Sequence, residues 1–265
     1  MKKHAIALFC CLGLVRATSG LTPDDLSRVK FEQHPGRQIS RDLVFRNESG
    51  RALKLGELLG ERPVILVLGY YRCPMLCTMI KDGLINALEN LQTDVGTDFD
   101  VVALSIDPTE SPAAAADKKK IYLRRYGRAG AANGWHCLVG EQESIVQIAD
   151  EVGYRYAYDP ETRQYAHPSG VIVLTPGGKI SRYVFGISFS ATELRDAIAG
   201  AKEGKSGSVL SQIFLLCYHY NPITGKYGTL ILSILRIASI GFAVLLGWWI
   251  YAMARASKRA GAEMG

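Results

Sequence analysis

Three things are missing from this chain of 265 residues: a long run of one charge sign, an internal repeat, and a cysteine pair with a two-residue spacer. The first absence argues against a nucleic-acid partner. The formal charge is +6, yet the basic residues gather at the two ends and the central charges are mixed in sign. The longest basic run, Lys118-Lys119-Lys120, reads as the solvated face of a helix. Lack of repeats excludes a solenoid or propeller. A three-residue cysteine spacer is less typical of dedicated thioredoxin-like catalysts, and nothing distinguishes a peroxide-binding threonine and arginine next to the nucleophile. Charge is also modest, 21% against 48% hydrophobic residues, so a packed core is expected and global disorder is not.

Both ends carry apolar segments. Lys2 and Lys3 precede the greasy run from Ala5 to Val15, and Arg16-Ala17-Thr18-Ser19-Gly20 follows. That is the order of a secretory signal, expected over residues 1–20, with an uncleaved anchor as the alternative. A lipoprotein signal is disfavoured because Leu8-Phe9 puts a bulky residue before Cys10. At the other end, residues 229–254 hold Arg236 as their one charged residue. This stretch is expected to form a single transmembrane helix, with Trp248, Trp249 and Tyr251 near one interface. Arg255, Lys258 and Arg259 then mark residues 255–265 as a cytoplasmic tail. Residues 21–200 are expected to be an exported domain on the periplasmic or extracytoplasmic side of the cell membrane, and 201–228 a juxtamembrane linker.

Between these ends, strands and helices alternate. Val64 to Tyr70 and Asp100 to Ile106 are continuous β-prone runs suited to strands covered on both faces. Leu76 to Leu91 and Glu141 to Val152 carry helical apolar stripes, and Ser111-Pro112 opens a further helix toward Arg125. Trp135 to Gly140 is a short extended piece. Residues 41–45 and 51–55 flank a turn at Asn47-Glu48-Ser49-Gly50, and Thr175-Pro176-Gly177-Gly178 joins a clearer hairpin. A helix over Ser190 to Ile198 completes a three-layer α/β domain with a mixed sheet.

Six cysteines occur, at 10, 11, 73, 77, 137 and 217. The first two lie in the signal-like run. Cys73-Pro74-Met75-Leu76-Cys77 stands directly after a buried strand and at the mouth of a helix, where unpaired N–H groups and positive potential favour a thiolate. Residues four apart on a helical path face one side, so both sulfurs can meet one soft ion or each other. Two sulfurs suit Cu(I) or Zn(II), and sulfur with imidazole also suits Cu(II). A structural disulfide is the plain alternative. His167 is the favoured third ligand, with His136 and His219 as competitors and His34 set apart near the N-terminus. Cys137 and Cys217 are candidates for a second disulfide, or for a buried thiol and a separate one.

These residues closely resemble the Sco/SenC family of thioredoxin-like copper-binding proteins. The likeness lies in Gly69-Tyr70-Tyr71-Arg72-Cys73-Pro74-Met75-Leu76-Cys77, in Val102 to Pro108, and in His167 before the last hairpin, across roughly residues 35–200. The resemblance implies a thioredoxin-like fold and one copper held by Cys73, Cys77 and His167. It makes Asp107 a supporting residue of an acidic loop near the site. It also implies a role in preparing the dinuclear copper centre of cytochrome c oxidase, with subunit II or another copper protein as partner. The chain departs from the family pattern at Met75, Thr78 and Glu110-Ser111-Pro112, in its C-terminal anchor, and in the added Cys217-Tyr218-His219-Tyr220-Asn221-Pro222.

Two mechanisms follow. In copper handling, an exposed low-coordinate site passes its ion by ligand exchange. In thiol:disulfide exchange, Cys73 attacks a target disulfide and Cys77 resolves the intermediate. A membrane-tethered interaction domain with structural disulfides is the third class.

Overall fold

A computed structural model describes residues 20–73, 76–207 and 236–249, with residues 76–78 described by their backbone alone. In chain order the elements are α1 (Pro23–Arg28), β1 (Lys30–Phe31), β2 (Val44–Arg46), β3 (Ala52–Lys54), β4 (Val64–Gly69) and α2 (Leu76–Glu89). There follow β5 (Asp100–Ser105), α3 (Pro112–Tyr126), α4 (Ala131–Gly134), β6 (Trp135–Leu138), α5 (Gln142–Glu151) and β7 (Tyr154–Arg155). Then come β8 (Ala157–Asp159), β9 (Gln164–Ala166), β10 (Gly170–Leu174), β11 (Ile180–Phe185) and α6 (Ala191–Lys202).

The central sheet runs β11-β10-β4-β5-β6. β4, β5 and β6 are parallel, as their connecting helices require, while β10 is antiparallel to both β4 and β11. Every residue of β4, β5 and β10 is buried. That is why these strands read as unbroken apolar runs rather than as alternating patterns. The pleat still sorts them by face. Ile65, Val67, Val101, Ala103, Val171 and Val173 pack with the apolar sides of α2, α3 and α6. Leu66, Leu68, Val102, Leu104 and Ile172 pack the other way, with Ile145 and Ile148 of α5 and with Phe45 and Leu53 of the β2–β3 hairpin. The expected three-layer α/β domain with a mixed, thioredoxin-like sheet is therefore present.

Local chemistry sets the boundaries. Ser111 accepts the Ala114 N–H at the start of α3, with Pro112 at the first helical position, and Gly127 ends the helix in the left-handed region at φ 67°. The helix expected over Ser190 to Ile198 begins on the Ser190 cap but continues to Lys202. In the β10–β11 turn, Thr175 Oγ1 accepts the Lys179 N–H, and Gly178 at φ 86° supplies the backbone that the reversal needs. Lys119 of the basic run pairs with Glu48 at 2.5 Å, tying α3 to the β2–β3 turn.

The expected membrane helix over residues 229–254 needs correcting. Among the described residues, a helix covers 236–249, and no helix is long and apolar enough to cross a membrane. The fourteen described helical residues rise about 21 Å, short of the ~30 Å of hydrocarbon. The signal-like segment, most of the linker, Cys217, His219 and the basic tail lie outside the described residues. The chain divides into two compact units, residues 1–207 and 208–265.

Candidate metal centre

Strand polarity brings the candidate residues to one end of the sheet. β4 and β5 run parallel with Gly69 opposite Ser105, so the segments leaving them, Tyr70–Cys73 and Ile106–Glu110, emerge side by side. The Ile106 N–H donates to the Gly69 carbonyl at 2.8 Å and closes that pairing. β10 runs the opposite way, with Ile172 opposite Leu66. His167 lies three residues before β10 and so belongs to this same end of the sheet. The crevice beyond the carboxyl ends of parallel strands is where α/β sheets commonly bind ligands.

His167 is buried at 7% exposure. Its ring stacks on Tyr154 with centroids 6.1 Å apart and meets Tyr70 edge-on at 6.0 Å. Tyr154 is itself held by a hydrogen bond from its hydroxyl to the Leu68 carbonyl. Nδ1 of His167 lies 3.1 Å from the Pro168 carbonyl. When Nδ1 carries the proton it donates there, and the ring lone pair sits on Nε2, the nitrogen a metal would take. Tyr70 also packs against Tyr165 of β9, whose phenol is pushed up to about 12, chiefly by burial and next by the Asp107 carboxylate.

Cys73 is buried, 8% exposed, and immediately precedes the segment leading into α2. Residues 74–75 and the side chain of Cys77 lie outside the described residues, so the sulfur-to-sulfur geometry does too. Among the described residues no three His, Cys, Asp or Glu side chains are grouped to hold a metal. The structure thus brings Cys73 and His167 to the same sheet end. The donor types fit copper: a thiol and an imidazole suit both of its common oxidation states.

Asp107 is an organiser of the neighbouring loop. Its carboxylate accepts from the Thr109 N–H at 2.9 Å and hydroxyl at 2.7 Å, and pairs with Arg72 at 3.0 Å. Reasoning from the sequence missed Glu110, noted there as a departure from a pattern. Its side chain is fully buried at 0% exposure. One oxygen accepts the Tyr71 N–H at 2.7 Å and the Ser105 hydroxyl at 2.6 Å, and the other accepts the Arg72 N–H at 2.6 Å. The available signal was the burial an acidic residue suffers between a strand end and a Ser-Pro helix cap.

The competing residues lie elsewhere. His136 sits on edge strand β6, its ring held below the usual imidazole range by burial. His34 contacts the Glu151 carbonyl near the start of the domain. Of the two options for Cys137, a bridge to Cys217 or a buried thiol, the second is found: it is a free thiol inside the core at 0% exposure. Among the described residues no disulfide occurs.

The SCO1/SenC family model matches residues 32–202. Three solved structures share the fold. One is Arabidopsis thaliana ScoI with copper bound, at 17% identity and TM-score 0.50, covering 65% of this chain and 98% of that one. A SCO1/SenC family lipoprotein from Bacillus anthracis str. Ames gives 19% and 0.51, covering 64% and 96%. A protein from Aquifex aeolicus VF5 gives 24% and 0.57, covering 65% and 96%. No curated protein matches the chain. Because the family match takes in the Cys73 segment, the Asp107–Glu110 loop and His167 together, over well more than half the sequence, the chain belongs to the SCO1/SenC family.

Proposed function

We propose that this chain binds one copper ion through Cys73, Cys77 and His167 and passes it to a copper protein, with subunit II of cytochrome c oxidase as the receiving partner. Its family takes part in the copper assembly of that oxidase. The observation that carries the reading is the setting of His167, a buried imidazole braced by Tyr154 and Tyr70 with Nδ1 directed at the Pro168 carbonyl. A thiol-exchange catalyst has no need of a braced imidazole at this level of the sheet, whereas a metal ligand does. Ligand exchange then moves the ion: a sulfur or imidazole of the partner joins an incompletely coordinated copper before Cys73, Cys77 or His167 leaves. Oxidation of the cysteine pair to a disulfide removes both thiolates, releases two electrons to an acceptor, and weakens the site.

Electrostatics favour the same reading. Reactive exchange cysteines are served by electropositive surroundings. Here the two amides that precede Cys73 are both spent on Glu110, and Asp107 and Glu110 face the single guanidinium of Arg72. An acidic pair beside the cysteine loop suits a cation. The second reading, exchange with cysteines of a metalloprotein, draws on the place of Cys73 just ahead of α2, where a helix start favours a thiolate. The signal-like order of residues 2–20 supports work outside the cytoplasm.

Anaerobic titration of the reduced protein tests the proposal. One copper per chain is expected for the wild type. Loss of binding is expected in Cys73→Ser and Cys77→Ser, and His167→Ala should weaken affinity by on the order of tenfold or more. Unchanged stoichiometry in either cysteine variant sinks the copper reading. Retained reductase activity without copper affinity selects thiol exchange instead.

A further inference from the structure

We infer that Glu110 is a positioning residue for Cys73: its carboxylate fixes the backbone entering the cysteine loop and so sets how readily the site releases copper. The inference rests on the copper reading and adds to it a residue outside the ligand set.

An ionised carboxylate buried to 0% exposure is costly unless its lone pairs are taken up. Glu110 is satisfied almost wholly by the segment that leads to the candidate ligand. The consecutive N–H groups of Tyr71 and Arg72 converge on its two oxygens, as they would on an anion held in a backbone nest, and Ser105 adds a hydroxyl. The location matters as much as the count. β4 ends at Gly69 and α2 starts at Leu76, so neither a ladder nor a helix holds residues 71 and 72. The Tyr71 hydroxyl reaches the Ala103 and Leu138 carbonyls at 2.7 and 2.9 Å and anchors the side chain of that residue. Glu110 anchors its backbone and that of the next residue, one step short of Cys73. A thiolate presented from a fixed backbone loses little freedom on taking a metal. One presented from a loose backbone gives the metal up more easily.

Glu110→Gln keeps the shape and removes one acceptor. The amide nitrogen cannot receive an N–H, so either Tyr71 or Arg72 loses its partner. In the reduced, metal-free protein, amide exchange at one of these two residues should rise at least about tenfold, while β10 amides stay protected. In the copper-loaded protein, transfer of Cu(I) to a chelator should accelerate on the order of tenfold. Glu110→Asp keeps the charge on a shorter arm and should fall between wild type and Glu110→Gln in both readouts. It carries the test if the glutamine variant does not fold. Leu194→Ala, a core truncation on α6, serves as the control for general destabilisation and should leave the chelator rate unchanged. Unchanged exchange, or raised exchange with an unchanged release rate, overturns the inference. A wild type that takes no copper defeats the metal reading alone, because the exchange measurement still reports what Glu110 holds.

Discussion

At the scale of single residues, the two described cysteines are opposites. Cys73 ends a polar-anchored segment beyond the carboxyl end of β4. Cys137 lies within β6, its thiol pushed up from 9.0 to about 12 by burial. A folded-state value above the unfolded one means that the native protein keeps a proton the unfolded chain gives up. The stabilisation is complete below about pH 9 and is lost as pH rises toward 12. The gap corresponds to roughly 4 kcal/mol at the top of that window. Urea unfolding at pH 8 to 12 should therefore show a steeper decline for the wild type than for Cys137→Ala, and parallel profiles would refute the assignment. Thiol reagents at pH 8 should modify Cys137 only after unfolding. Cys73 and His167 were legible as candidates because soft donors flanking strands stand out in a chain with few of them. Glu110 was not, since a loop carboxylate looks solvated until the fold removes water from it.

At the scale of elements, legibility followed length and burial. β4, β5 and β10 announced themselves as apolar runs, and α2 and α5 as stripes, because each buries enough surface to dictate its own pattern. The two-residue pair β1–β7, which sets Lys30 opposite Arg155, has no period to detect and exists through tertiary pairing. The β8–β9 hairpin, which carries Tyr158 and Tyr165, is likewise too short to show a period. α2 contains a residue that local propensity would count as a defect. Gly83 costs about 1 kcal/mol against alanine in an open helix. Here a Cβ would stand 2.0 Å from the Ile187 carbonyl oxygen, so the glycine lets α2 approach the loop between β11 and α6. Gly83→Ala should then destabilise the domain by about 1–3 kcal/mol, reversing the propensity gain. A variant as stable as the wild type in urea would show that the loop yields without cost.

At the scale of the whole molecule, residues 1–207 form one compact unit and 208–265 another. The first holds all of the sheet and both of its cores. A fragment spanning 20–207 should unfold in one cooperative step with the same urea midpoint as the full chain, within about 0.5 kcal/mol. A lower midpoint would mean that the remaining residues contribute to the fold. The C-terminal segment is where sequence reasoning went too far. Its composition suited a bilayer, but composition measures affinity for oil, and among the described residues no helix is long and apolar enough to cross a membrane.

The strand that delivers His167 is held on both sides, by β4 and by β11, and its reversal into β11 passes through the short turn from Thr175 to Lys179. That turn acts as a gauge for an atom many residues away. Lengthening it by one residue would push β10 along its neighbours, and in a pleated strand each step swaps front for back. The imidazole would exit on the opposite side of the sheet while Cys73 stayed put. The spacing between hairpin and histidine thus fixes where the imidazole stands as firmly as the ring's own packing does.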